Sequence, residues 1–260
     1  MNLGQARIVI RERATAEIVD LSFRFVLSLE PQLLLWLCAW FLLPAFGICL
    51  AAQLLGASWL FVWALAVGLR ALCDAPFTVA SGRMLFERGL GVGSVLRDVF
   101  RLAWRYFWAT VLRSAGLLLS ALPLITLPVV ASRLLFLGEI ILLERLPLDE
   151  ALRRSDRFLG RRRGTGIETL LALCVLPLAA AVFADALGQA VVSDVLDLGT
   201  SGGLFEEGGS VFALAGFFAA TPFACALRYL AYIDVRTRRE AWDVQVRFQR
   251  VSLDLVRGLS

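Results

Sequence analysis

The chain has no histidine, and all 26 of its basic residues are arginine, so lysine is absent as well. Without histidine there is no imidazole general base, no histidine-bound metal and no Ser-His-Asp relay. Without lysine there is no Walker A phosphate loop. Cysteine is sparse. Cys38, Cys49, Cys73, Cys174 and Cys225 all fall in apolar stretches with no Cys-x-x-Cys spacing, which reads as small apolar packing rather than a disulfide or a metal site. No carboxylate pair or activated nucleophile stands out. The expectation is a protein that is not an enzyme and carries no cofactor.

Long apolar runs dominate what is present. Hydrophobic residues make up 59% of the chain against 18% charged, and the mean hydropathy is +0.75, well outside the composition of soluble domains. Six stretches approach the roughly 20 residues needed to cross a hydrocarbon core of about 30 Å as a helix: 32–53, 58–80, 102–122, 125–143, 169–192 and 211–233. Helices are expected because lipid offers no partner to backbone amides and the segments lack the alternation of barrel strands. The predicted fold is therefore an all-α polytopic membrane protein of six transmembrane helices. Residues 1–240 form a single integral membrane domain and 241–260 a cytoplasmic tail. In that tail Trp242, Val244, Val246 and Phe248 alternate like a strand, whereas Val244, Phe248, Val251 and Leu255 fit a helix. The first apolar run begins only at Gln32 and is not followed by a small-residue cleavage site, so it is expected to stay as an anchor.

Arginine placement orients the chain. All but Arg70, Arg105, Arg113, Arg133 and Arg228 lie before the first span, between spans two and three, between four and five, or after the sixth. The opposite connections hold none, and the longest carries Asp194, Asp197, Glu206 and Glu207 instead. The positive-inside rule then makes both termini cytoplasmic.

The cytoplasmic segments are patterned. Leu148, Ala151, Leu152, Ser155, Phe158 and Leu159 fall on one helical face, with Asp149, Glu150, Arg153, Arg154, Asp156 and Arg157 on the other. This predicts an amphipathic helix lying along the cytoplasmic interface, apolar side in the acyl chains, with Arg153, Arg154, Arg157, Arg161, Arg162 and Arg163 among anionic headgroups. The same template fits Thr15, Ile18, Val19, Ser22, Phe25 and Val26, and again Val92, Val95, Leu96, Val99, Leu102 and Ala103. Arg24, Arg101 and Arg157 share one phase of it. Three interfacial helices, each followed by a hairpin of two spans, suggest a threefold internal repeat, although any interfacial helix shows this period.

Three stretches, "AEIVDLSFRF", "LERLPLDEALRRSDRFLGRRR" and "YLAYIDVRTRREAWDVQVRF", occur in this order around the spans. Through them the chain resembles the bacterial glycerophosphoryl diester phosphodiesterase membrane-domain family. The pattern is carried by Glu144, Ala151, Leu152 and Ser155, and by Tyr232, Asp234, Arg236, Arg238 and Glu240. Ala241 and Asp156 depart from it. The resemblance implies a polytopic protein of the bacterial inner membrane, here without the catalytic domain for which the family is named. It also implies, weakly, genes near envelope ATPases and proteases.

Charges within spans are the remaining clues, because each costs at least about 2.5 kcal/mol at mid-depth unless paired or hydrated. Arg70 and Asp74, four apart, are expected to neutralise each other. Arg133 and Glu139 share the fourth span, Arg228 precedes Asp234 in the sixth, and Asp185 stands alone in the fifth. Pro44, Pro76, Pro128, Pro177 and Pro222 fall in five spans, where kinks are expected. Ala180, Ala184 and Gly188 form a small-residue stripe facing Gly216 and Ala220, which predicts close packing of the last two spans. Two readings follow. One is a non-catalytic scaffold or accessory subunit of an envelope complex whose arginines bind anionic lipid or partner proteins, with no nucleic-acid partner. The other is a transporter or lipid-handling protein with a polar intramembrane cavity.

Overall fold

The computed structural model describes residues 14–87, 89–121, 126–159, 163–195, 197 and 203–240. The tail 241–260, the ends of the predicted third and fourth spans, Arg161 and Arg162 lie outside the described residues, as do the side chains of Arg157 and Arg163. Among the described residues the secondary structure is entirely helical. In chain order the helices are α1 (Thr15–Ser28), α2 (Pro31–Leu54), α3 (Trp59–Met84), α4 (Val92–Ala121), α5 (Leu127–Arg133), α6 (Leu137–Glu139), α7 (Leu148–Leu159), α8 (Arg163–Ala190), α9 (Leu204–Glu207), α10 (Val211–Ala219) and α11 (Thr221–Glu240).

Four helices are long and apolar enough to cross a bilayer: α2, α3, the stretch Gly166–Asp194 containing most of α8, and the stretch Val211–Thr237 formed by α10 and α11. Two predicted spans take other forms. The second amphipathic segment and the third span are one continuous helix, α4, so the expected break between interface and membrane is absent there. The fourth span is broken: α5 ends at Arg133, residues 134–136 form a turn, and α6 runs into a π-helical turn over Ile140–Glu144. This segment is lined by protein, since every residue from Leu135 to Leu142 is buried. Irregular backbone at membrane depth is tolerated where protein covers it.

Proline explains one distortion. Pro44 cannot donate to the carbonyl four residues back and its ring crowds that carbonyl. The helix opens into a π turn at Cys38–Leu42 just before it. Pro76 and Pro177 remain inside α3 and α8.

Two helices form the centre. Residues Cys73 to Gly82 of α3 and Ala224 to Tyr232 of α11 are buried on all sides, which is the signature of a helix surrounded by others. By contrast α2 exposes Leu35, Trp36 and Trp40, and α8 exposes Leu171, Val175 and Leu178, surfaces suited to lipid. Cys174, expected to be buried, lies on that exposed face of α8.

The amphipathic helices do not present their apolar sides to acyl chains as expected. Equivalent template positions, Ile18, Val95 and Ala151, and again Ser22, Val99 and Ser155, are buried against the bundle. In α1, Phe25 meets Tyr229 and Phe23 meets Phe223 of α11. In α7, the Ser155 hydroxyl donates to the Arg133 carbonyl at 2.5 Å. At these positions the stripes pack on protein rather than lipid; the side chains of Phe158 and Leu159 lie outside the described residues.

The hairpin of the last two spans is closed by small residues, as their spacing predicts. A Cβ on Gly216 would lie 2.3 Å from the Ala180 carbonyl oxygen and 2.6 Å from Ala184 Cβ. No rotamer relieves a clash with backbone. Gly216→Ala should therefore cost about 1–3 kcal/mol, seen as a lowered thermal unfolding midpoint in detergent. Gly47→Ala, with nothing within 4 Å of its added carbon, should hold or raise that midpoint.

Candidate functional site: a buried charge cluster

Asp74 lies on α3 ten residues before its end at Met84, about 15 Å along the helix axis. Arg228 lies nine residues before the end of the apolar stretch at Thr237. Glu139, on α6, is fully buried. These three side chains come from three separate segments and meet. Arg228 Nη1 donates to Asp74 Oδ2 at 2.9 Å, its Nε donates to Glu139 Oε1, and its Nη2 reaches Thr78 Oγ1 at 3.4 Å. The Arg228 side chain is 5% exposed. An isolated buried ion costs several kcal/mol, and only tight pairing with further hydrogen bonds offsets it.

The surroundings complete the arrangement. Cys225 Sγ lies 3.4 Å from Asp74 Oδ1. The Tyr106 hydroxyl donates to the Ala71 carbonyl at 2.9 Å, tying α4 to α3 one turn from Asp74. Glu139 Oε2 is buried and has no hydrogen-bond partner.

The one pairing expected from the sequence is replaced, and other intramembrane charges find partners outside their own spans or on other elements. Asp74 takes Arg228 rather than Arg70, whose guanidinium instead stands 4.6 Å from the centre of the Phe217 ring, a cation–π geometry. Arg133 pairs with Asp156 of α7 at 3.2 Å and not with Glu139. Arg228 does not pair with Asp234, which is itself buried on α11. Asp185 does not stand alone: it accepts from the Leu204 amide at 3.1 Å and from the Ser210 hydroxyl. Ser210 in turn caps α10 by accepting from the Ala213 amide at 3.0 Å. The replacement at Asp74 has a simple cause. Helical spacing finds neighbours within one helix, whereas the bundle brings helices together at matching depth.

At the arginine-bearing end a second constellation joins the motif residues. Glu144, at the end of the π turn, accepts from the Tyr232 hydroxyl and pairs with Arg154 at 2.5 Å and Arg236 at 3.7 Å. The two motifs of the resemblance are thus in contact. Of the arginines expected at the interface, Arg24 pairs with Asp20 at 3.0 Å while largely exposed, Arg154 is taken up by Glu144, and Arg101 and Arg153 are exposed. Sequence reasoning did not single out Thr78 or Tyr106 for this region. Their signal was small: a hydroxyl one turn from Asp74, and a tyrosine at the apolar phase of an amphipathic helix.

Chemically, the cluster can hold three segments together. Its charges are turned on one another, and among the described residues no group of three or more Cys, Asp or Glu is placed to hold a metal. No family model, curated protein or solved structure matches the chain.

Arg228→Met strands two buried carboxylates and should cost about 3–5 kcal/mol. Arg70→Met removes a single cation–π contact and should cost about 0.5–2 kcal/mol. Thermal unfolding of both variants in the same mild detergent gives the order directly.

Proposed function

We propose that the protein is a non-catalytic integral membrane component, a scaffold or accessory subunit of a cell-envelope complex in the bacterial inner membrane. It crosses the bilayer six times with both termini in the cytoplasm. Its arginine-rich cytoplasmic face binds anionic headgroups or partner proteins. The observation that carries this reading is the interior: the Asp74, Glu139 and Arg228 charges are spent on one another inside packed helices. A transport path needs polar groups turned toward a passage.

Other features support it. Among the connections arginine is confined to one set, and the longest connection of the other set carries only acidic charge, in keeping with the proposed orientation. In this topology α4 and the broken α5–α6 segment form the third and fourth spans. The shared burial phase of α1, α4 and α7 supports a threefold repeat. In it the second span of each hairpin supplies one member of the cluster, Asp74, Glu139 and Arg228 in turn. The contact between Glu144, Tyr232 and Arg236 is consistent with membership of the membrane-domain family that the motifs resemble.

The transport reading draws support from one observation, the broken helix at 134–136, a form that transporters use around binding sites. The two readings separate in reconstituted vesicles. As a scaffold the protein passes no solute, and replacing Arg24, Arg101 and Arg153 together by Gln lowers the enrichment of phosphatidylglycerol around it at least two- to threefold, which requires only about 0.2 kcal/mol from each exposed arginine, within the roughly 1 kcal/mol that such a charge can contribute. Lipid analysis of the purified protein in its native membrane patch measures the enrichment. Solute flux that Arg228→Met abolishes would overturn the scaffold reading, and unchanged enrichment would overturn its headgroup arm and leave the arginine-rich face to partner proteins. For orientation, a membrane-impermeant maleimide should label Phe205→Cys on intact cells and label Arg153→Cys only after permeabilisation.

A further inference from the structure

Between the buried cluster and the arginine-bearing end lies a cavity of about 360 Å³, lined among others by Arg83, Asp98, Arg145, Tyr229 and Arg236. Its size is that of a small-molecule site. Three guanidinium groups face it against two carboxylates, Glu87 and Asp98; Glu144, 3.7 Å behind Arg236, is matched by Arg154 at 2.5 Å, which leaves one positive charge in excess. Arg83 is closely held, by Glu87 at 2.7 Å and Asp98 at 3.4 Å. Arg145 is more loosely engaged, with Asp98 at 3.6 Å and its side chain 55% exposed.

Two independent features mark the cavity as more than a packing gap. The Tyr229 hydroxyl is buried in its wall without a hydrogen-bond partner, and leaving such a group unpaired costs about 1–3 kcal/mol. Arg145 adopts the left-handed conformation, φ 59°, uncommon outside glycine and frequently associated with binding sites. Its carbonyl is held there by Arg105 Nη1 at 3.3 Å. Arg145 and Glu87 are more than half exposed at the rim, so the cavity opens to solvent at this end, while Val79, Leu142 and Ile233 supply apolar wall.

We propose that this cavity binds a singly charged phosphodiester, with Arg145 and Arg236 donating to the phosphate oxygens and Tyr229 supplying a further hydrogen bond. One excess positive charge matches one negative charge on the ligand. Guanidinium forks suit phosphate geometry, and the apolar wall accommodates the ester substituent. The site does not rest on the scaffold reading and uses none of the exposed arginines invoked there.

The same chemistry is offered by a phospholipid headgroup and by a soluble phosphodiester, and titration calorimetry on the full chain in detergent separates them. The probes are dihexanoylphosphatidylglycerol, dimethyl phosphate, and dihexanoylglycerol, which lacks the phosphate. Binding of the first alone identifies a lipid headgroup as the source; binding of dimethyl phosphate as well identifies a site open to soluble esters. In either case Arg145→Gln should weaken binding about tenfold, the loss of one charge-assisted hydrogen bond. Tyr229→Phe, which keeps the ring and its packing, should weaken it several-fold. If neither phosphate compound binds, if dihexanoylglycerol binds as tightly as its phosphatidylglycerol counterpart, or if both variants bind as the parent does, the proposal is wrong.

Discussion

Arg228 is the constraint around which the bundle is organised. A guanidinium at this depth is expensive unless carboxylates come to it, and the two that do, Asp74 and Glu139, belong to segments far apart in sequence. Satisfying one buried cation therefore fixes the relative positions of α3, α6 and α11. In lipid the hydrophobic effect does little to bring helices together, so packing and polar contacts must specify the arrangement. The small-residue contact of α8 with α10 and the Arg228 cluster are complementary in this respect. One sets how closely a hairpin packs, and the other sets which helices meet.

The irregular backbone serves the same geometry. If α5 and α6 formed one straight helix, Arg133 and Glu139, six residues apart, would point only about 120° apart around its axis. The turn at 134–136 separates them. Arg133 points out to Asp156 on α7, and Glu139 is carried inward to Arg228. Further along, the π turn over Ile140–Glu144 ends in the left-handed Arg145, and there Glu144 gathers Tyr232, Arg154 and Arg236. The broken segment is thus the part of the chain that links the buried cluster to the arginine-bearing end.

The helical character, the amphipathic faces of α1, α4 and α7, and the close contact at Gly216 were legible because each depends on local spacing or residue size. What covers the amphipathic faces was not legible. An apolar stripe is equally suited to acyl chains and to a protein surface, and the serines within the stripes do not decide between them: Ser155 donates to the Arg133 carbonyl of another segment, but Ser22 is satisfied by Val19 of its own helix, as it would be in lipid. The pairing of Asp74 was misread because Arg70 is its neighbour on one helix. Depth held the better signal: Asp74 and Arg228 lie ten and nine residues from the same end of their spans. The break in the predicted fourth span left no trace that composition could show, since Leu134, Leu135 and Phe136 read as ordinary apolar residues.

The central claim is that the three charges act as one unit, and it is tested most directly by removing all of them together. Replacing Asp74 by Asn, Glu139 by Gln and Arg228 by Met in one protein leaves no buried ion without a partner, so its thermal unfolding midpoint in detergent should recover about half or more of the loss caused by Arg228→Met alone. A triple variant that unfolds at or below the midpoint of Arg228→Met would contradict the account, because it would mean that the carboxylates stabilise the bundle independently of the arginine.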